Sequence, residues 1–162
     1  MNPTSPTKPE FNDRNGRTWR LALSIGKLRA IKAVAGVDLG ALEDGKVLLQ
    51  LGADYEALAQ TLWILCEGQA ASRRVEPEEF AELLDGDTID AAIAALIEAI
   101  VLFTRAAQRG PLRTVIATTL AAHAKTMSAV ESWASSQSEK IGQQAVTKTN
   151  QLLATLGESS PS

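Results

Sequence analysis

Between Ile89 and Phe103 the chain sets large apolar residues at four- and three-residue intervals: Ile89, Ile93, Leu96, Ile100 and Phe103. Residues three and four apart stack along one side of an α-helix, so this spacing predicts a helix with one strongly apolar face. Ile97 and Val101 flank the seam. Ala91, Ala92, Ala94, Ala95 and Ala99 fill most of the rest, which lets another element approach closely. Burying five such side chains supplies roughly 8–15 kcal/mol before the entropy of ordering is subtracted. A helix of this kind does not stand alone in water. It must lie in a core or in an interface, and a core is the expectation, with the Ile97/Val101 flank left as the place to look for a partner.

The residues just before it prepare that helix. Pro77 suits a first helical position, with Glu78 and Glu79 in the first turn, where the helix dipole favours anions. Val75 and Phe80 stand where a hydrophobic staple would close, and Glu76 is a mediocre cap. Gly86 is expected to end this short helix. Asp87 then reads as the cap of the long one, with Asp90 three residues on as its capping-box partner. Asp85, Asp87 and Asp90, with Glu82 nearby, resemble a cation site at first sight. They lack the alternating Asp-x-Asp-x-Asp-Gly run and the closing Glu of an EF-hand, and capping explains them without an ion.

Toward the N-terminus, residues 1–10 hold three prolines with Ser, Thr and Asn, and are expected to be disordered. The period then changes to two. Trp19, Leu21, Leu23 and Ile25 alternate with Arg20, Ala22 and Ser24, the rhythm of a half-buried strand. Asn15-Gly16 just before it is a strong hairpin signal. A two-residue loop would put Phe11 and Trp19 on opposite faces. A three-residue loop, Arg14-Asn15-Gly16 with Gly16 left-handed, pairs them on one face, and burial of both aromatics favours this register. Ser24 can cap a following helix with Leu28, Ile31 and Ala35 on its inner stripe, Lys27 and Lys32 outside it, and Gly36 as its stop. The glycines of the next segment keep any helix near 46–51 short. Asp54 caps a helix expected at about 55–70, where Tyr55, Leu58, Leu62, Leu65 and Gln69 share a face and Trp63, Ile64 and Cys66 widen it. This helix is expected at the centre of the core, ended by Gly68 and the polar run 69–74.

After Arg109-Gly110-Pro111, read as a breaker, the character shifts. Ile116, Leu120, His123, Met127, Val130, Ala134, Gln137 and Ile141 keep a 4-3 rhythm, but the seam is weak and partly polar. A helix over about 112–135 is expected, with a self-associating coiled coil as the lesser alternative.

Composition narrows the function classes. The 162 residues are about one domain's worth, 45% apolar and only 4% aromatic, with Ala, Leu and Ile carrying the apolar load, which favours helix over sheet. No run reaches the ~18 apolar residues that span a bilayer, and the start lacks the apolar core of a secretory signal. One cysteine, Cys66, excludes an internal disulfide and suits a reducing, intracellular setting. Cys66 reads as a small buried hydrophobe rather than a reactive thiol. One histidine, His123, leaves a histidine-based metal site improbable, and it reads as a half-buried packing residue. No Ser/His/Asp or Cys/His arrangement, phosphate loop or dinucleotide fingerprint can be assembled. The net charge of −3 is uneven: residues 53–104 carry eleven Asp/Glu against two Lys/Arg, whereas both flanking stretches are basic. Opposite stretches of this kind attract within one fold or between subunits. The basic residues are few and lack interleaved aromatics, which argues against nucleic acid as a partner.

In order, FNDRNGRTWRLALSIGKLRAIK, AGVDL, LWILCEGQA and VEPEEFAELLDGDTIDAAIAALIEAIVLF resemble the tail assembly chaperones of long-tailed bacteriophages. The family's aromatic-Asp-x-x-Gly-Arg-x-Trp opening resembles residues 11–19, its Gly-Val-Asp-Leu element 36–39, its Leu-Trp-x-Leu helix 62–65, and its Pro-Glu-x-Phe…Asp-Gly-Asp-x-Ile segment 77–89. The similarity covers residues 11–105. In place of the family's Phe-Phe-Pro-like ending stand Leu102, Phe103 and Thr104, with the proline only at Pro111. The motifs are structural, not catalytic. The resemblance implies a non-enzymatic assembly factor without a cofactor or metal, acting in the host cytoplasm and absent from the mature particle. Its implied partners are the helical tape-measure protein and, beyond it, tail tube subunits or further copies of itself. No nucleic acid or membrane is implied. The alternative is a homo-oligomeric structural component of the tail or the head–tail junction.

The expectation is therefore a mainly α fold, a small helical domain with a short N-terminal β-hairpin and a long, partly mobile C-terminal helix. The boundaries expected are a disordered tail at 1–10, the hairpin and helical domain at 11–109, a helical extension at 110–140, and a weakly helical to disordered tail at 141–162. The expected partner-binding residues are Ile97, Val101 and Leu102, with Met127 and Trp133 beyond the breaker.

Overall fold

The structure is a computed structural model, and it describes residues 8–41 and 45–158. The chain is mainly α. In order it forms β1 (Glu10–Asn12), β2 (Thr18–Arg20), α1 (Ile25–Ala35), α2 (Lys46–Ala53), α3 (Tyr55–Arg73), α4 (Pro77–Glu82), α5 (Gly86–Phe103) and α6 (Ala106–Glu158). It divides into two compact units, one ending at Leu120 and the other beginning at Ala121. They are taken in turn.

The first unit starts with the antiparallel hairpin β1–β2, in which Glu10 pairs with Arg20, Phe11 with Trp19, and Asn12 with Thr18. This is the register of the three-residue loop, and Gly16 takes the left-handed φ of 77° that the loop demands. Phe11, Trp19 and Leu21 are buried from one face. The amide of Leu21 bonds the carbonyl of Pro9 at 2.7 Å, so ordered pairing begins inside the stretch expected to be disordered. Residues 1–7 of that stretch, and 159–162 at the other end, lie outside the described residues.

Asp13 sets the loop. Its carboxylate accepts from the amides of Asn15 at 2.9 Å and Arg17 at 3.0 Å, and from Trp19 Nε1 at 2.9 Å. A short polar side chain that bonds its own backbone two residues on is the mechanism by which Asp favours turns. Gln69 of α3 covers the outer edge of β2 by donating to the Arg20 carbonyl at 2.7 Å and accepting from the Arg20 amide at 3.1 Å.

α3 is the centre of this unit and packs against α1, α2, α4 and β2, while α5 packs on β1. Leu58, Leu62, Leu65 and Cys66 are buried along α3 as the pattern predicts. Tyr55 is not: it stands at the first helical position, before the packed turns begin, and is 65% exposed. The helix also runs past Gly68 to Arg73, because Ala70 is buried and Gln69 is held by the hairpin; Arg74 ends it at a left-handed φ of 55°. Phe80 of α4 joins the halves. Trp19 meets it edge-on at 5.0 Å and Trp63 at 5.6 Å between ring centroids, and the Arg73 guanidinium lies 4.6 Å over the Trp19 ring. Val75 and Phe80 are both buried, as a staple requires.

Ser24 caps α1 by accepting from the Lys27 amide at 3.2 Å, and Gly36 ends it at φ 68°. Lys27 is not fully outside; its ammonium donates to the Leu65 carbonyl at 2.9 Å. α2 is eight residues long. Its N-cap, Gly45, has φ 70°, and a Cβ there would lie 2.7 Å from Thr119 Oγ1 of α6. Only glycine fits that approach.

The start of α5 differs from the expectation. Asp85, not Asp87, is the cap, accepting from the Thr88 amide at 2.9 Å, and Gly86 is already helical. Asp85 alone of the two has the extended backbone (φ −99°, ψ −179°) that aims a side chain at the free amides. Asp87 and Asp90 are exposed. The buried stripe is also rotated. Ala92, Ala95, Leu96, Ala99 and Ile100 are buried, while Ile89, Ile93 and Ile97 are half-buried and Phe103 is 44% exposed. The small residues face inward where α5 packs on β1.

The break between α5 and α6 falls at Thr104 and Arg105, not at Arg109-Gly110-Pro111. Pro111 lies inside α6, at its sixth residue, and the helix continues through it at the cost of the one i→i−4 hydrogen bond that a proline cannot donate. Residues of α6 as far as Leu120 complete the first unit, and Ile116 is buried in it.

The second unit, taken by itself, is the remainder of α6. It is helical to Glu158, so the expected weakening at 141 does not occur. Apart from half-buried Gln137, its side chains from Ala121 to Gly157 are exposed, His123 included.

Candidate functional site

The C-terminal end of α5 is closed by groups from the chain that follows. The amide of Thr104 bonds the carbonyls of Ile100 and Val101 at 3.1 and 3.2 Å. Arg109 reaches back with Nε to the Thr104 carbonyl at 3.0 Å and with Nη2 to that of Leu102 at 2.8 Å. A cation donating to the last carbonyls satisfies both the hydrogen bonds and the dipole of a helix C-terminus. One turn further on, Arg113 grips Glu98 through two bonds of 2.6 and 3.0 Å, a fork-to-fork pair that holds the first turns of α6 to α5. The Glu98 hydrogen bond raises the pKa of Arg113 above its ordinary value.

This corner leaves the last two apolar residues of α5 facing solvent: Leu102 is 42% and Phe103 44% exposed. Phe103 overlooks a groove of about 660 Å³ walled by Leu23, Ile25 and Leu28 from the start of α1, by Ile100, and by Leu112 and Val115 of α6. On its other side Leu102 opens a shallower groove of about 350 Å³ with Pro9, Leu21 and Ala99. Leu23 and Phe103 line both, so the two form one apolar surface. Arg105 and Gln108 supply polar groups to the larger groove. Such walls suit apolar side chains presented at intervals by a helix or an extended segment.

Of the residues expected to bind a partner, Leu102 lies on this surface. Ile97 is half-buried and Val101 fully buried, so Val101 is no contact residue. The reading of a single apolar seam assumed one buried side. α5 packs on β1, and Arg109 and Arg113 of α6 are bonded to its C-terminal half. Met127 and Trp133 lie on the second unit, 47% and 65% exposed. Leu23, Ile25 and Phe103 were assigned to strand or core by their periodicity. Leu23 is half-buried, while Ile25 and Phe103 are exposed because they are the first residue of α1 and the last of α5.

Cys66 is fully buried, and burial pushes its thiol up to about 12, which removes it as a nucleophile near neutral pH. Hydrogen bonds from the hydroxyl and amide of Thr88 hold the Asp85 carboxyl below its usual range. Lys32, bonded to Asp38 at 2.7 Å, does the same for Asp38. Among the described residues no cluster of His, Cys, Asp and Glu is placed to hold a metal ion. Among them, too, no helix is long and apolar enough to cross a membrane.

The second unit has its own exposed apolar residues, among them Met127, Val130, Trp133, Ile141, Val146 and Leu156. Helices in proteins draw most of their stability from packing rather than from propensity, and here these apolar residues are exposed.

No family model, no curated protein and no solved structure matches the chain.

Proposed function

We propose that the chain is a non-enzymatic assembly factor, a tail assembly chaperone of a long-tailed bacteriophage. In this reading it works in the host cytoplasm, binds the tape-measure protein, promotes tail tube assembly around it, and is absent from the mature particle. The observation that carries the proposal is the continuous apolar surface around Leu102 and Phe103. A long helical client aggregates through its apolar faces, and an apolar groove on a charged domain shields such a face reversibly. The ordered series of motifs over residues 11–105 supplies the phage-tail setting. The exposed apolar residues of α6 beyond Ala121 give a second contact, for the tape measure or for tail tube subunits.

Co-expression with the tape-measure protein tests this. The chain keeps that protein soluble and co-purifies with it, and replacing Phe103 and Ile25 by serine lowers the recovered complex. If the tape measure stays insoluble and no complex forms, the reading fails. The open face of α6, with Met127, Val130 and Ile141 at helical spacing, favours a second reading as a homo-oligomeric structural component. Light scattering separates the two: a stable ring of many copies supports the structural component, a monomer or small oligomer the chaperone.

A further inference from the structure

A second groove lies elsewhere in the first unit and differs in its electrostatics. It is about 420 Å³, floored by Trp63 and Ile64 of α3 and Phe80 of α4, with Val34 of α1 and Ala81 of α4 on its walls. Glu56 and Glu78 also line it. Both are exposed, and among the described residues neither forms an ion pair, whereas Glu79 is bound by Arg17 and Glu98 by Arg113. Glu82, one turn beyond Glu78, extends the acidic rim along α4, and Glu67, one turn beyond Trp63, extends it along α3. Val34 is 63% exposed and Trp63 half-buried, so the apolar floor is accessible.

We propose that this groove docks a basic amphipathic helix, one that inserts an i, i+4 pair of aliphatic side chains over Trp63 and presents lysine or arginine to Glu56 and Glu78. An apolar floor bounded by three helices is the setting of a helix-in-groove contact. Glu56 accepts from Gln60 at 3.5 Å but neither carboxylate has an ion pair among the described residues, and their charge sets the ligand's: a cationic rim gains attraction and speed of encounter, while an anionic one meets like charge. Glu56 and Glu78 are two of the eleven acidic residues of the stretch 53–104. The inference stands apart from the tape-measure reading, because it concerns a different surface and is set by charge.

The test uses the full chain and two labelled model peptides with the same leucine face, one flanked by lysines and one by glutamates, read by fluorescence anisotropy. The lysine peptide binds and the glutamate peptide does not, and raising the salt weakens binding. The double variant Glu56→Gln/Glu78→Gln weakens it about three- to ten-fold, the loss of two exposed charge contacts. Ala81→Arg, at an exposed wall position, abolishes it with the circular dichroism unchanged, while Phe103→Ala, in the other groove, leaves it intact. The proposal is overturned if the lysine peptide fails to bind, if both peptides bind alike, or if Ala81→Arg leaves binding unchanged. Loss of binding in Phe103→Ala would place the contact on the other surface and overturn it as well.

Discussion

Replacing Asp13 by alanine should destabilise the first unit more than any other change at an unpacked turn. The side chain is 1% exposed and one of its oxygens takes Trp19 Nε1. Trp19 is itself fully buried, so its indole N–H has no route to water once that acceptor is gone. A buried donor left without a partner costs about 1–3 kcal/mol. The amides of Asn15 and Arg17 lose their acceptor too, but they lie in an exposed loop and recover water, adding about 1 kcal/mol. The sum is about 2–4 kcal/mol, a fall in Tm on the order of 10 °C for a unit of this size. Asp13→Asn should cost nearly as much, because its one oxygen still serves the two loop amides while its NH2 faces the indole donor and leaves that buried N–H without an acceptor. Urea unfolding followed by near-UV circular dichroism measures both, and a double-mutant cycle with Trp19→Phe isolates the shared bond. The coupling should be about 1 kcal/mol or more. An alanine variant within about 0.5 kcal/mol of wild type, or strict additivity in the cycle, would refute this account of the turn.

Three further outcomes follow from the same structure. Gly45→Ala forces a Cβ at φ 70° to within 2.7 Å of Thr119 Oγ1; it should destabilise by about 1–3 kcal/mol in thermal melts, whereas Gly52→Ala, with open space around it, should be neutral or stabilising. Cys66 should resist a thiol reagent at pH 8 in the native state and react fully in urea, since its thiol is both buried and raised to about 12; rapid native labelling would contradict its burial. The carboxyls of Asp38 and Asp85 are held low in the folded state by Lys32 and Thr88 respectively. Their stabilisation is therefore present above the unfolded carboxyl range and lost as the pH falls below about 4; Asp85→Asn should flatten that acid limb of a melting curve.

Much of this fold is legible in the residues, and the limits of that legibility have physical causes. The hairpin register follows from Asn15-Gly16 and from two aromatics that must share a face. Ser24, Gly36 and Asp54 mark helix ends because their chemistry is local. The interior of α5 resists such reading. Nearly every position is apolar or alanine, so periodicity offers several faces, and the choice among them belongs to the neighbours. α5 packs on β1 with Ala92, Ala95 and Ala99 buried, and the Arg113–Glu98 and Arg109–Leu102 bonds tie α6 to it. Val101 is fully buried, while Leu102, one residue on, is 42% exposed. At Pro111 the helix gives up one hydrogen bond and runs on, and the real corner, at Thr104 and Arg105, is fixed by Arg109 from beyond it. Asp13 was missed because three of its bonds depend on the finished loop. The apolar surface around Phe103 was half seen, through Leu102, because its other walls come from Leu23, Ile25 and Leu112, which distance along the chain keeps apart.

The central claim is that Leu102 and Phe103 belong to a binding surface and Val101 to the core. Its most direct test compares Leu102→Ser and Val101→Ala in one pair of measurements, stability by urea unfolding and capture of the tape-measure protein by titration. Leu102→Ser should leave stability within about 0.5 kcal/mol and weaken capture several-fold. Val101→Ala should lose about 1–3 kcal/mol of stability and, while folded, bind as wild type does. A Leu102→Ser protein that binds normally, or a Val101→Ala protein that keeps its stability and loses binding, would contradict the account.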